Sequence, residues 1–155
     1  MLAVCVMIVH KRCVGKGTIG SDVFTCGRKR VSAIFTTEDK KGGLFSFPLG
    51  SPIISNKSGS TVGGALHKCF EKFHTMQKKL NIPGLPLLAT LHSSCTDGAD
   101  AEKAAIRHLN EKLNELLKEL HEKGLSEEKA RELIWIICIM HALCSNLKMC
   151  VFVNC

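Results

Sequence analysis

Leu85-Pro-Leu-Leu-Ala-Thr-Leu-His-Ser-Ser-Cys-Thr-Asp-Gly-Ala-Asp100 decides how this chain is read. Its first half, 85–92, is a short apolar run of the length and bounds of a strand covered on both faces. Residues 93–98 are polar and read as a turn, and a helical pattern opens directly behind them. A buried strand that ends in a polar turn and runs into a helix is half of a βα unit. The fold class then rests on whether the rest of the chain supplies more such units.

It does, on both sides. Upstream, Leu66, Cys69, Phe70, Phe73, Met76 and Leu80 recur at helical spacing, with His67, Glu71, His74 and Lys78 flanking them. Asn81-Ile-Pro-Gly84 ends that helix. Downstream, Ala105, Ile106, Leu109, Leu113, Leu116, Leu117 and Leu120 line a second helix that Gly124 stops. Ser126, followed by Glu127 and Glu128, suits the N-cap of a third helix, apolar almost all round over 133–144. Residues 2–9 read as a buried strand, 14–20 with three glycines as a loop, 22–26 and 30–37 as strands, and 38–43 as a turn. A short strand over 44–47 is stopped by Pro48, 50–64 is the longest flexible candidate, and 149–153 reads as a closing strand. The expectation is a single α/β domain over residues 1–155. It is three-layer-like, with a mixed, largely parallel sheet and about three flanking helices.

Composition narrows the class. Of 155 residues 45% are hydrophobic and 23% charged, which excludes a disordered tail and a fibrous repeat. The longest apolar runs, 1–9 and 133–140, are too short to span a bilayer, so no membrane partner is expected. The first run has no basic residues ahead of it and no small-residue cleavage site behind it. The nine cysteines are odd in number, form no C-x-x-C, and sit largely in apolar stretches. Free thiols in an intracellular compartment, cytoplasmic or nuclear, are the simpler account. Cys138, His141 and Cys144, at i, i+3 and i+6 of an expected helix, are read as core packing and not as a metal site. Neither a metal nor another cofactor is expected.

Net charge is +7, unevenly placed: residues 10–43 hold eight bases against three acids, and residues 97–132 ten acids against seven bases. A basic N-terminal half, with Arg28, Lys29 and Arg30 at its centre, suits nonspecific contact with nucleic acid or long-range steering of phosphates. An ordinary solvated basic surface is the competing reading. Specific base readout is not expected of a chain with no Tyr and one Trp.

Ser93, Ser94, Cys95, Thr96 and Gly98 are the candidate ligand-binding residues, because ligands of open α/β sheets sit at the carboxyl ends of strands and a helix N-terminus suits a phosphate. Capping of the same donors by Asp97 or Asp100 is the alternative. Residues 58–64, Ser-Gly-Ser-Thr-Val-Gly-Gly, also precede a helix but lack the lysine of a Walker A loop. No nucleophile–base or carboxylate pair falls at fixed spacing on one element, so catalytic residues are not expected and the reading leans away from an enzyme.

The stretch 87–100 resembles the last core strand and phosphate loop of macro domains, the ADP-ribose-binding α/β modules. Residues 15–18 through 30–37, the helix 65–80, the helix opening at Glu102-Lys-Ala-Ala105 and the closing segment 148–153 fall in that family's order. The family's first strands, its adenine-contacting Asp and its early loop glycine have no counterpart, so the likeness is to a shortened or degenerate member. It implies a non-catalytic module binding ADP-ribose or a related phosphate-bearing nucleotide. Residues 64–73, with Cys69-Phe70, and 93–99, with Cys95, are similar to the two motifs of zinc cytidine deaminases. The positions of the metal-binding His, the proton-shuttling Glu and the second Cys hold Ala65, His67 and Gly98, which implies an inactive relative. A third expectation is an interaction protein that forms a homodimer through the apolar segment 133–144.

Overall fold

The computed structural model describes residues 2–138. The chain opens with helix α1 (Leu2–Arg12) and continues through β1 (Cys13–Cys26), β2 (Arg28–Asp39) and β3 (Leu44–Gly50). Helix α2 (Gly59–Lys79), a 3-10 turn (Leu87–Thr90), β4 (Leu91–Thr96), α3 (Asp100–Glu122) and β5 (Ile134–Ile137) follow. The strands form one sheet in the order β3-β2-β1-β4-β5. The β1–β2 and β2–β3 pairs are antiparallel, whereas β1–β4 and β4–β5 are parallel. Among the described residues the sheet is mixed and flanked by α1, α2 and α3, in keeping with the expected α/β class.

Local chemistry explains these elements. The β1–β2 hairpin turns through Gly27, whose φ of +65° suits a residue without a Cβ. Along β2, Val31, Ala33, Phe35 and Thr37 are buried at period two. Gly17 lies directly beneath Phe35: a Cβ there would come within 2.0 Å of the ring. Ser58 caps α2 by accepting the Thr61 N–H. Its glycines Gly59 and Gly63 let α2 approach Ala104 and Ala105 of α3. Phe35, Phe47, Phe70 and Phe73 form a contiguous aromatic group between sheet and helices, with ring centroids 5.6–6.0 Å apart. Leu109, Leu113 and Leu117 complete the core from the α3 side.

Several expectations are corrected. Residues 2–9 are helical; Val6 and Val9, three apart, are the buried pair, and basic residues His10–Arg12 complement the helix C-terminus. A short run that is apolar at every position has no period, so its type is decided by packing. Residues 14–20 are strand, and Gly17 among their glycines marks a close approach to Phe35. β3 continues through Pro48 to Gly50. α2 begins at Gly59, so residues 59–64 belong to a helix. Residues 87–90 form a 3-10 turn, and the strand occupies 91–96, so it overlaps the expected strand only at 91–92 and takes 93–96 from the stretch read as a turn. Among the described residues no helix follows Ser126: Ile134–Ile137 is a strand beside β4, with Arg131 donating to the Ala89 and Leu91 carbonyls ahead of it. The remainder of the 133–144 segment and the 149–153 strand lie outside the described residues.

Candidate carboxylate site at the β1–β4 switch point

The sheet grows from β1 in two directions, by hairpins toward β3 and by crossovers toward β5. The strand order therefore reverses between β1 and β4, and the carboxyl ends of β1, β4 and β5 point the same way. A crevice at such a place is where open α/β sheets hold ligands. Register determines what meets there. Gly20 pairs with Cys95, so two residues further on Asp22 of β1 comes beside Asp97, just past the end of β4. The chain turns at Gly98, with φ of +89°, and enters α3, whose first turn carries Glu102.

One oxygen from each of Asp22, Asp97 and Glu102 lies within 4.8 Å of the others. Asp22 is exposed, Asp97 half-buried and Glu102 only 2% exposed. Glu102 Oε2 accepts the Asp97 N–H at 3.2 Å, while Oε1 is buried without a hydrogen-bond partner. Burial, and then the charge of Asp97, push the Glu102 carboxyl up to about 7. Two oxygens on one divalent ion, each bound at roughly 2.0–2.6 Å, stand about 3 Å apart as neighbours and up to about 5 Å apart when opposed, so mutual separations within 4.8 Å are compatible with one hard cation. Among the described residues it is the only such group of three, and the deaminase-like positions Ala65, His67, Cys69, Cys95 and Gly98 assemble no metal-ligand cluster.

The sequence-predicted residues surround this site in a different role. Ser93, Ser94, Cys95 and Thr96 are strand residues of β4, hydrogen-bonded between β1 and β5. Ser94 and Thr96 are buried; Thr18 Oγ1 and Ser93 Oγ lie 2.6 Å apart. The turn itself is 97–99, and its N–H groups are engaged. Asp97 N–H donates to Glu102, Gly98 N–H to Thr96 Oγ1, and Ala99 N–H to Asp97 Oδ1. Ala99 is the residue before α3 and makes no side-chain cap, so Asp97 serves the turn and not the helix cap. Asp22 and Glu102 were missed because 75 residues separate Asp22 from Asp97. A signal for Glu102 exists nonetheless. It sits on the stripe Ala105, Ile106, Leu109, Leu113, where a solvated glutamate has no reason to be.

Around the site, Arg28 and Arg30 occupy the β2 end of the hairpin that brings in Asp22. Neither forms an ion pair among the described residues; Arg30 Nη1 donates to the Ser51 carbonyl. No helix of the described chain is long and apolar enough to cross a membrane. No family model matches the chain, and neither a curated protein nor a solved structure matches it.

Proposed function

We propose that this protein binds a divalent cation through Asp22, Asp97 and Glu102, and through that cation a phosphate-bearing ligand of the nucleotide class. The observation that carries the reading is the unpartnered Oε1 of Glu102, buried beside two further carboxylates. A buried carboxylate without a partner is costly, and a bound cation supplies what is missing. Mg²⁺ held by a few carboxylates keeps coordination positions for phosphate oxygens, which links the acidic site to an anionic ligand. The +7 net charge, with Arg28 and Arg30 near the same strand ends, attracts that ligand at long range.

This reading keeps the phosphate-bearing nucleotide implied by the macro-domain likeness and changes how it is held. The loop amides at 97–99 are spent on internal bonds, so the cation replaces them as the phosphate anchor. Melting curves with ADP-ribose or ADP, each with and without Mg²⁺, test it. A ligand that binds only the folded state raises the melting temperature saturably. The expected result is a shift by the nucleotide that requires Mg²⁺. An equal shift in excess chelator would return the phosphate to the loop amides and overturn the cation-bridged reading.

A further inference from the structure

A cleft of about 390 Å³ opens between α3 and β5, lined by Lys103, Ile106, Arg107, Asn110, Glu132, Leu133 and Trp135. Its size falls in the range of small-ligand sites, roughly 300–1,000 Å³. It adjoins the cluster through the chain itself: Lys103 follows Glu102, and Ile106 is one helical turn, about 6 Å, beyond it. Trp135 forms one wall. Its indole Nε1–H donates to Thr96 Oγ1 at 2.9 Å, which fixes the ring, and it remains 37% exposed. The turn at Gly98 rests against the same side chain, since a Cβ there would lie 4.0 Å from Trp135 Cζ2. Lys103 Nζ stands 5.2 Å from the centroid of that ring.

The polar groups suit one kind of molecule. Asn110 Oδ1 accepts the Leu133 N–H at 3.0 Å, so its amide N–H groups are left to donate elsewhere. Arg107 is exposed and pairs with no carboxylate among the described residues. Lys103 is shared between Asp100, at 3.2 Å, and the Trp135 ring, so among the described residues Arg107 is the unpaired cation of the cleft and Glu132 its one carboxylate, an acceptor suited to sugar hydroxyls. An aromatic plate, an amide donor, a hydroxyl acceptor and an unpaired guanidinium, one turn of helix from a trio of carboxylates, together suit a base, a sugar and a phosphate.

We infer that this cleft seats the base and sugar of a free nucleoside diphosphate, stacked on Trp135, while its phosphates reach the cation at Asp22, Asp97 and Glu102. The assignment rests on the cation-bridged reading above and adds to it where the organic part of the ligand lies.

Trp135 is the chain's one tryptophan, so its fluorescence reports the cleft directly. ADP is titrated into the full chain in Mg²⁺ while emission and melting temperature are followed, with ribose 5-phosphate as the ligand that lacks a base. Saturable quenching by ADP, over the concentrations that raise the melting temperature, is the expected result. Ribose 5-phosphate should raise the melting temperature only at tenfold or higher concentrations and leave emission unchanged. Arg107→Glu, outside the carboxylate cluster, should weaken ADP at least tenfold and leave Mg²⁺ binding intact. A melting shift with ADP and no quenching, or ribose 5-phosphate binding as tightly as ADP, overturns the cleft while leaving the cation reading standing. A short oligoadenylate that quenches at lower concentration than ADP overturns the assignment to a free nucleotide. Absence of any Mg²⁺-dependent shift defeats the cation reading itself, and the cleft with it.

Discussion

Replacing Glu102 by Gln keeps the shape of the side chain and an acceptor for the Asp97 N–H while removing the buried charge. In the folded chain this carboxyl is raised to about 7 from the ordinary 4.5. Below pH 4.5 it is protonated whether the chain is folded or not. Between about 4.5 and 7 the unfolded chain gives up that proton while the folded chain retains it, so stability falls as pH rises across this window and levels off above it. At about 1.4 kcal/mol per pH unit the full difference is at most ~3.5 kcal/mol, and access of water past exposed Asp22 reduces it toward 1–2. In excess chelator at pH 8, Glu102→Gln should therefore be the more stable protein, melting roughly 3–8 °C higher. The gap between the two proteins should close toward pH 4.5. In millimolar Mg²⁺ the order should reverse, because only the ionised carboxylate gains from the cation. Melting curves of both proteins across pH 4.5–8.5, in chelator and in Mg²⁺, give the comparison. A variant that is less stable than the parent at pH 8 in chelator would refute the argument. The ionised Glu102 would then be held by fixed hydrogen bonds and would need no cation.

Other substitutions probe the frame around the site. Gly17→Ala places a Cβ against the fully buried Phe35 ring and should cost at least about 2 kcal/mol in urea unfolding, with loss of sheet signal in circular dichroism. Leu109→Ala, at a position with no exposure, should cost about 3–4 kcal/mol by the same measurement. Arg131→Met removes the donor to the Ala89 and Leu91 carbonyls and should cost about 1–3 kcal/mol, with faster hydrogen exchange in β5 than in β1. Asp22→Asn leaves β1 in register at an exposed position. It should change stability in chelator by less than about 0.5 kcal/mol and remove most of the Mg²⁺-dependent rise.

The parts of the fold that the amino-acid pattern reveals are those where one period dominates. Leu66, Phe70 and Phe73 on α2, and Leu109, Leu113 and Leu117 on α3, are buried as helical spacing requires. β2 shows its alternation in the same way. Residues 2–9 and 133–137 carry no period, because every position is apolar. Their types follow from what was free to pack: α1 lays Val6 and Val9 on the core, and β5 extends the sheet beside β4. The glycines of 14–20 mislead for another reason, since Gly17 answers to a ring brought to it by β2. The site was legible only at Asp97. Its partner Asp22 is supplied by parallel pairing across 75 residues, and no local pattern encodes that register. Ser93 through Thr96 mark the right strand end, but Ser93 bonds across to Thr18 and Ser94 and Thr96 are buried, while the carboxylates lie one and six residues beyond Thr96.

Isothermal titration of Mn²⁺ into the chelator-stripped protein at pH 8 shows whether Asp22, Asp97 and Glu102 hold a cation. One cation should bind in the micromolar to submillimolar range, and either Asp22→Asn or Asp97→Asn should weaken it at least tenfold while the circular dichroism of the fold is retained. Heat that is absent in the parent protein, or unchanged in both variants, would mean that the three carboxylates do not hold a metal ion.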